Sequence, residues 1–245
     1  MVGTFLPLDD IIEWDVANWS KCLPYWEPWL TRLDRDTARI LAVGERAGGL
    51  SLWFALQGFQ VLCTDYHIPD EQARSSHARW MVQDRISYAA VDVFNIPYPE
   101  NHFDVVTCKS VIGGLVLQRK LPETRTLQNQ RLAVEEIRRV LKPGGIFLGA
   151  ENLAGTKIHQ FLRWMKYGPE FGWRYLRTTE IQWLFESYSL CQQKQWGLVG
   201  SQWWKLGSHW WKFDRLNPLS RVIDACLSNI LPGDWLYISF IRARK

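Results

Sequence analysis

The sequence predicts an α/β fold built on a doubly wound, mostly parallel sheet. Short apolar runs that suit buried strands alternate with helical segments, and this pattern implies right-handed βαβ crossovers. Polar or glycine residues stand where five of these runs end, at Gly44, Asp65, Asp92, Lys109 and Glu151. With 245 residues and 47% hydrophobic side chains, the chain can bury one substantial core.

The first half of the predicted sheet is regular. ARILAVGE is the first strand and ends near Gly44; a helix over Leu50–Leu56 follows and closes at Gly58. FQVLCTD is the second strand, a helix begins after Pro69, and ISYAAVD is the third strand, ending in Asp92. Because ligands bind beyond the carboxyl ends of parallel strands, the polar residues at these ends are candidate site residues.

The second half of the sheet repeats the alternation. HFDVVTCKSV is the fourth strand, and TLQNQRLAVEEIRRVL is an amphipathic helix that KPGG stops before GIFLGAEN, the fifth strand. RTTEIQWLFESY is a helix with Thr178 or Thr179 as its N-cap, and SLCQQKQWGLVG and WLYISFIRARK are two more strands. Between these last strands lies a Trp-rich insertion, roughly residues 201–231.

Three parts of the chain are expected on this basis. Residues 1–38 form an aromatic helical cap over the sheet edge or the cofactor mouth, because IIEWDVANWSKCLPYWEPWLTRL places aromatic residues at helical spacing. Residues 39–152 form the cofactor-binding core. Residues 153–245 supply a lid or substrate segment and the final strands of the same domain.

Composition excludes several classes of protein. No apolar run is long enough to cross a membrane, and no signal-peptide pattern opens the chain, so a cytoplasmic protein is expected. The five cysteines are far apart and form no CxxC pair, so they are expected to be free, with Cys63 and Cys108 buried in strands. The five histidines lack metal-ligand spacing, and no metal site is expected.

The loop after the first strand, GERAGG, suggests a cofactor without identifying it. It matches the dinucleotide pattern GxGxxG and the methyltransferase pattern GxGxG at two of three glycines each. Asp65 lies where a carboxylate accepts hydrogen bonds from ribose hydroxyls, which fits NAD and S-adenosylmethionine equally. Asp92 is more selective, since an acceptor there can meet an adenine amino group while the next backbone N–H meets a ring nitrogen.

The stretches VDVFNIPYPENHFDVVTCKSVI and EEIRRVLKPGGIFLGAEN resemble the class I S-adenosylmethionine-dependent methyltransferases, in particular their small-molecule, type 11-like group. The resemblance covers roughly residues 39–152. It implies a seven-stranded Rossmann-like sheet with an antiparallel last strand and S-adenosyl-L-methionine as cofactor. The resemblance implies that the methionine part of the cofactor contacts Gly44, Glu45 and Gly48, that the ribose contacts Asp65, and that the adenine contacts Asp92 and Val93. Lys109 is expected on the methionine and substrate side, and Tyr66 is expected to pack on the adenosine.

Three positions depart from the family pattern. Ala42 replaces a frequent acidic residue, Glu45 a small residue, and Arg46 the middle glycine. Arg46 matters if its position requires a positive φ or close contact with the ligand. Glu45 is expected to accept a hydrogen bond from the cofactor amine in place of the missing acid, so the loop is interpreted as modified but functional.

Transfer to an alcohol needs a base, and the candidates are Glu151 and His102. Each has a plainer interpretation, since Glu151 could organise loops and His102 lies in a polar turn. Two hypotheses about function therefore stay open. The first is methyl transfer by in-line displacement to a small-molecule or a lipid- or sugar-linked acceptor, at oxygen. The second is a non-catalytic S-adenosylmethionine-binding protein that kept the fold.

The acceptor side is assigned to the segment after the fifth strand. Residues 153–245 contain 13 Lys and Arg against six Asp and Glu, and nine of the 15 tryptophans. Three interpretations compete: a lid with a tryptophan core, a basic aromatic patch at a membrane surface, and, ranked last because no RNA-binding module is present, nucleic-acid stacking. The expected substrate contacts are Ser110, Asn152, Trp164 and Trp173, and the N-terminal stretch WDVANWS is expected to complete the pocket.

Overall fold

A computed structural model describes residues 6–115, 123–168, 173–200 and 217–245. Seven strands form one sheet in the order β3-β2-β1-β4-β5-β7-β6. β7 runs antiparallel to both of its neighbours, while the pairs from β3 to β5 are parallel, which confirms the predicted fold class. In chain order the strands are β1 Arg39–Val43, β2 Gln60–Asp65, β3 Ile86–Ala90, β4 Phe103–Lys109, β5 Leu141–Asn152, β6 Leu190–Trp196 and β7 Ile238–Arg244.

Helices flank both faces of this sheet. Within the described residues, three α-helices precede β1 and six follow it, two of them between β5 and β6. They are α1 Leu8–Ile12, α2 Val16–Trp19, α3 Cys22–Leu30, α4 Gly49–Leu56, α5 Glu71–Arg79, α6 Glu123–Val140, α7 Lys157–Tyr167, α8 Thr178–Leu184 and α9 Asn217–Leu227. None of the described helices combines the length and the apolar character needed to span a bilayer.

The core lies on both faces of the central strands, because alternate side chains of a strand point to opposite faces. Ile40 and Ala42 of β1 belong to the cluster that holds Trp26 and Trp53, whereas Leu41 belongs to the cluster against α6. Burial on both faces explains why β1 is a continuous apolar run rather than an alternating one.

The strand order reverses between β1 and β4. β1 pairs with β2 on one side and with β4 on the other, so the connections leaving β1 and β4 diverge to opposite sides of the sheet. In an open parallel sheet this reversal leaves a crevice at the carboxyl ends of the strands. The loops after β1, β4 and β5 all open onto this crevice.

The N-terminal helices pack on interior strands of the sheet and on the helix after β1. α3 packs on β5 and β7, where Trp26 Nε1 donates to the Ile241 carbonyl at 3.1 Å. α1 packs on α4 so closely that a Cβ on Gly49 would lie 2.1 Å from the Ile11 carbonyl oxygen. Gly49 is therefore the contact that lets the N-terminal segment lie across the loop after β1.

Some element boundaries differ from the sequence prediction. β5 begins at Leu141, not after KPGG, because Leu141 pairs with Phe103 and the register then shifts so that Val105 pairs with Ile146. The N-cap of α8 is Arg177, whose N–H donates to Glu180 Oε2 at 2.8 Å, and not Thr178 or Thr179.

The two ends of the predicted Trp-rich insertion have different outcomes. Residues 217–227 form helix α9, which the sequence analysis did not identify. The run SQWWKLGSHWWKF lies within 201–216 and is outside the described residues.

The cysteines follow the prediction: Cys63 and Cys108 are buried, and all five are free. Among the residues that the structure describes, no group of three or more His, Cys, Asp or Glu side chains could hold a metal ion.

Candidate active site

A cavity of about 310 Å³ opens at the carboxyl edge of the sheet, over the ends of β1, β4 and β5. Half of its lining was predicted as site residues: Gly44, Glu45, Lys109, Ser110, Asn152 and Trp173. Trp14 also lines the cavity and belongs to WDVANWS, the stretch expected to complete the pocket, whereas the remaining lining residues were not among the predicted contacts: Glu13, Arg46, Gly49, Tyr167 and Tyr175. The loop after β1, the N-terminal segment and the segment after α7 thus converge on one space.

The loop after β1 has the backbone of a glycine turn although one glycine is missing. Gly44 and Gly48 have φ values of 68° and 77°, and Arg46 between them has φ of 39°. A Cβ on Gly44 would lie 2.5 Å from Val111 Cγ2. The middle position of the turn, Arg46, therefore does require a left-handed backbone. Arginine adopts this backbone at a cost in conformational free energy that glycine would not incur.

The Arg46 side chain points out of the loop. It is 73% exposed and pairs with Glu13, with 3.1 Å between Arg46 Nη2 and Glu13 Oε2. Its guanidinium also lies 5.6 Å from the centre of the Trp14 ring. Arg46 thus connects the glycine loop to the N-terminal segment at the cavity that all three of these residues line.

Glu45 is buried and serves the adjoining helix. Its Oε2 accepts the N–H of Ser51 in the first turn of α4 at 2.7 Å. Burial is the largest cause that raises the pKa of this carboxyl, to about 7. The Glu45 carboxyl thus accepts an N–H group at the N-terminus of α4. Glu45 also lines the cavity, and its contact with a cofactor amine stays a prediction.

Lys109 ends β4 beneath the N-terminal segment. Its Nζ donates to the Ile12 carbonyl at 2.7 Å and lies 3.7 Å from Glu13 Oε1 and 3.2 Å from the Trp14 ring centre. Burial lowers the pKa of this ammonium to about 8, and this effect is larger than the opposing effect of the nearby carboxylates, which raise the pKa. The Lys109 ammonium and the Glu13 carboxylate carry opposite charges, and both line the cavity.

Asp65 and Tyr66 end β2 beside the loop. Asp65 Oδ2 accepts the N–H of Arg46 at 2.8 Å, so the carboxylate also holds the left-handed residue in place. Tyr66 is exposed. This open surface, adjacent to the cavity rather than inside it, is where the resemblance places the adenosine.

Asp92 and Val93 lie just beyond β3. The strand ends at Ala90, two residues earlier than predicted, and the Val91 N–H donates to the Asp65 carbonyl at 2.8 Å. Asp92 is exposed, and its Oδ1 accepts the N–H of Phe94 at 2.9 Å, whereas Val93 is buried. Asp65 and Asp92 therefore follow adjacent strands at the same edge.

The catalytic role predicted for Glu151 does not agree with its geometry. The side chain is fully buried, and its two oxygens accept the N–H groups of Val111 and Ile112 at 2.7 Å each and of Gly113 at 3.3 Å. Burial, opposed by these hydrogen bonds, raises the pKa of the carboxyl to about 7. Glu151 is a positioning residue that fixes the loop after β4.

The catalytic role predicted for His102 is wrong on position. His102 precedes β4, and its ring lies 3.5 Å from the guanidinium of Arg39, the first residue of β1. Because β1 and β4 are parallel, both residues lie at the amino edge of the sheet, opposite the cavity. The sequence analysis identified the strand correctly but assigned the residue before it to the wrong edge.

Two of the predicted substrate residues form a polar pair at the ends of β4 and β5. Asn152 Nδ2 donates to Ser110 Oγ at 2.7 Å, and both residues line the cavity. This leaves the Ser110 hydroxyl able to donate and the Asn152 carbonyl oxygen able to accept. The pair can therefore hold a hydroxyl group of an acceptor.

The two predicted tryptophans have different positions. Trp173 lines the cavity and packs against Gly113, where an added Cβ would lie 2.4 Å from its Nε1. Trp164 is 55% exposed on α7 and is not part of the cavity lining, which corrects its predicted substrate contact. On helix α7, Trp164 directly follows the buried Arg163, so the two side chains point to different faces of the helix.

Comparison with known proteins agrees with this geometry. Residues 41–149 match the family described as a methyltransferase domain, and no curated protein sequence matches the chain. Three solved structures share the fold. Geranyl diphosphate C-methyltransferase from Streptomyces coelicolor A3(2) has a TM-score of 0.60 at 11% identity, with 93% of this chain and 79% of that chain covered.

Two further solved structures with this fold are proteins of other activities. Phosphoethanolamine N-methyltransferase 2 of Haemonchus contortus, in complex with S-adenosylmethionine, has a TM-score of 0.57 at 16% identity, with 93% and 52% covered. The [4+2]-cyclase SpnF has a TM-score of 0.58 at 20% identity, with 92% and 80% covered. Residues 41–149 therefore form a methyltransferase domain, and the sheet that holds it has the fold of these solved structures.

Proposed function

We propose that the chain transfers the methyl group of S-adenosylmethionine to a hydroxyl of a small-molecule or lipid- or sugar-linked acceptor. The adenosine lies along Asp65 and Asp92, and the methionine part enters the cavity toward Lys109. The observation that carries the proposal is the convergence of the glycine loop, Lys109 and the Ser110–Asn152 pair on one cavity.

The residues present fit this cofactor. A side chain on Gly44 would collide with Val111, so glycine at this position lets the turn and the loop after β4 pack together beside the cavity. The cofactor's methionine part carries a carboxylate and an amine, and the cavity offers the Lys109 ammonium and the Glu13 carboxylate. The Asp65 carboxylate stands at the end of β2 within reach of ribose hydroxyls.

Bound S-adenosylmethionine supplies a methyl group already activated by its sulfonium. The chain then has to orient the acceptor and exclude water. Ser110 and Asn152 hold the acceptor hydroxyl, and the rings of Trp14, Trp173 and Tyr175 enclose it. The hydroxyl oxygen bonds to the methyl carbon as the carbon–sulfur bond breaks, which leaves S-adenosylhomocysteine, and the hydroxyl proton passes to water at the mouth of the cavity. A smaller cavity of about 70 Å³ extends this space toward Arg163 and Tyr237, with room for a further group of the acceptor.

Turnover separates this proposal from a non-catalytic binding protein. The purified chain is incubated with S-adenosylmethionine carrying a labelled methyl group and with a panel of hydroxyl-bearing amphiphiles and glycosides. The proposal expects label in one class of acceptor together with equimolar S-adenosylhomocysteine. Cofactor binding without transfer to any acceptor would favour the binding protein, and label on nitrogen or carbon would contradict the assignment to oxygen.

Replacing Trp173 with alanine should lower turnover at least about tenfold while cofactor affinity changes less than about threefold, because the ring encloses the acceptor and orientation dominates this chemistry. Production of S-adenosylhomocysteine with a soluble acceptor measures the first quantity and calorimetry the second. Trp164→Ala is the matched control and should keep full turnover, since that ring lies outside the cavity lining. Equal losses in both variants would place the acceptor elsewhere.

Replacing Arg46 with glycine should leave the affinity for S-adenosylmethionine within about tenfold, ~1.4 kcal/mol. The change relieves a left-handed arginine and removes its ion pair with Glu13; because the arginine side chain is mostly exposed, this pair contributes little, and the Glu13 carboxylate stays in the cavity. Calorimetric titration of both proteins checks this. A thousandfold gain in the glycine variant would show that the native loop is impaired as a cofactor site.

A further inference from the structure

Helix α7 buries polar side chains and exposes large apolar ones. Its buried residues are polar: His159 Nε2 donates to the Leu198 carbonyl at 2.5 Å, and an Arg163 nitrogen donates to the Leu153 carbonyl at 2.6 Å. Its exposed residues are large and apolar, with Ile158 70% and Phe161 56% exposed, and with Trp164 and Met165 next to them. An amphipathic helix at the surface of a soluble domain normally has the opposite arrangement.

Helix α9 has the same inverted arrangement. It buries Ser220 and Asp224, and the buried Ser228, just past its end, continues this spacing of four residues. Asp224 accepts the N–H groups of residues 198–200 at distances of 2.7 to 3.0 Å, and Ser228 Oγ accepts the N–H of Gly197 at 2.9 Å. Leu219 and Val222 are more than half exposed.

Both helices hold the same short loop, residues 197–200. His159 of α7 contacts its Leu198 carbonyl, and Asp224 of α9 accepts from its N–H groups. Each helix turns its polar face toward this loop and presents its apolar side chains on the side away from it. We call these outward side chains together the α7–α9 face: Ile158, Phe161, Trp164, Met165, Leu219 and Val222.

Charge and position indicate what covers this face. The cations Lys157, Lys166 and Arg221 lie on the same two helices, and the outward side chains of α7 and α9 include no carboxylate among the described residues. Lys166 and Tyr167, at the end of α7, also line the smaller cavity that extends the active site. An apolar face with cations at its borders suits a surface with anionic head groups above an apolar interior.

We propose that the α7–α9 face docks on an anionic lipid surface, and that the acceptor reaches the cavity from that surface past Tyr167. Docking does not depend on the proposed reaction, but the route of the acceptor rests on it. Large apolar side chains that otherwise contact water would lie among acyl chains, and the three cations would lie among lipid phosphates.

Flotation with vesicles tests the docking. The full chain is mixed with vesicles of equal parts phosphatidylcholine and phosphatidylglycerol, and with vesicles of phosphatidylcholine alone. We expect binding to the anionic vesicles that weakens as salt rises. The variant Ile158→Ser with Phe161→Ser should lose at least about tenfold of this binding, because two inserted side chains are removed. The matched control Met81→Ser with Leu132→Ser removes two equally exposed residues from other surfaces and should bind as the wild type does.

Three results would overturn the proposal. They are absence of binding to anionic vesicles, equal loss in the control variant, and a concentration-dependent dimer that Ile158→Ser with Phe161→Ser abolishes, which would assign the face to a second copy of the chain. Calorimetry with S-adenosylmethionine in the absence of vesicles is run on the same variants. Retained cofactor binding shows that they are folded, and it separates failure of the docking proposal from failure of the proposed reaction.

Discussion

Replacing Glu151 with alanine is expected to lower the free energy of unfolding by about 3 kcal/mol or more. Three backbone N–H groups of the loop after β4 donate to this fully buried carboxylate, and the alanine variant leaves them without an acceptor. Each buried donor left unpaired costs about 1–3 kcal/mol. Urea denaturation followed by circular dichroism measures the change.

The control and the second readout distinguish a positioning residue from a catalytic one. Glu186→Ala removes a carboxylate that is half exposed and paired with Arg131, so it should cost less than about 1 kcal/mol. Glu151→Gln keeps the size of the side chain and an oxygen acceptor, and it should recover part of the stability and of the turnover. If Glu151→Ala were as stable as the wild type but inactive, Glu151 would act as the base and the positioning role would be wrong.

Replacing Asp65 with alanine is expected to weaken S-adenosylmethionine binding by about 1–3 kcal/mol, roughly tenfold to a hundredfold. Two effects add here, since the variant loses the acceptor for the ribose hydroxyls and also the carboxylate that holds the N–H of Arg46 at 2.8 Å. Equilibrium dialysis with labelled cofactor measures the affinity.

Two further variants make the Asp65 result specific. Asp65→Asn keeps a side-chain oxygen that can accept from the Arg46 N–H, so it should bind more tightly than the alanine variant and less tightly than the wild type. Asp84→Ala removes an exposed carboxylate from the turn before β3, at the amino edge, and should bind as the wild type does. Unchanged affinity in Asp65→Ala would remove this carboxylate from the cofactor site.

The fold could be predicted from the sequence because its central strands are buried on both faces. Such strands are short apolar runs, and each ends abruptly in a polar or glycine residue, as β1, β2 and β4 do. The carboxyl edge, and with it Gly44, Lys109 and Asn152, follows directly from this order. The antiparallel β7 came from the family resemblance, since a period of two does not give strand direction.

The parts that could not be predicted depend on tertiary contacts. The aromatic N-terminal stretch indicated Trp14, but Glu13 enters the cavity because α1 packs on Gly49, and no local pattern indicates that contact. Glu151 stands at a strand end as a catalytic residue would, but its carboxylate points into the adjoining loop. α9 has a helical period whose buried face is polar, so a search for apolar faces overlooks it.

The central claim is that the cavity at the carboxyl edge of the sheet is a working S-adenosylmethionine site despite Arg46 in its glycine loop. Calorimetric titration of the wild-type chain with S-adenosylmethionine and, separately, with NAD tests this most directly. The account predicts that one S-adenosylmethionine binds per chain, that S-adenosylhomocysteine displaces it, and that NAD gives no heat of binding. Saturable binding of NAD with none of S-adenosylmethionine would contradict it.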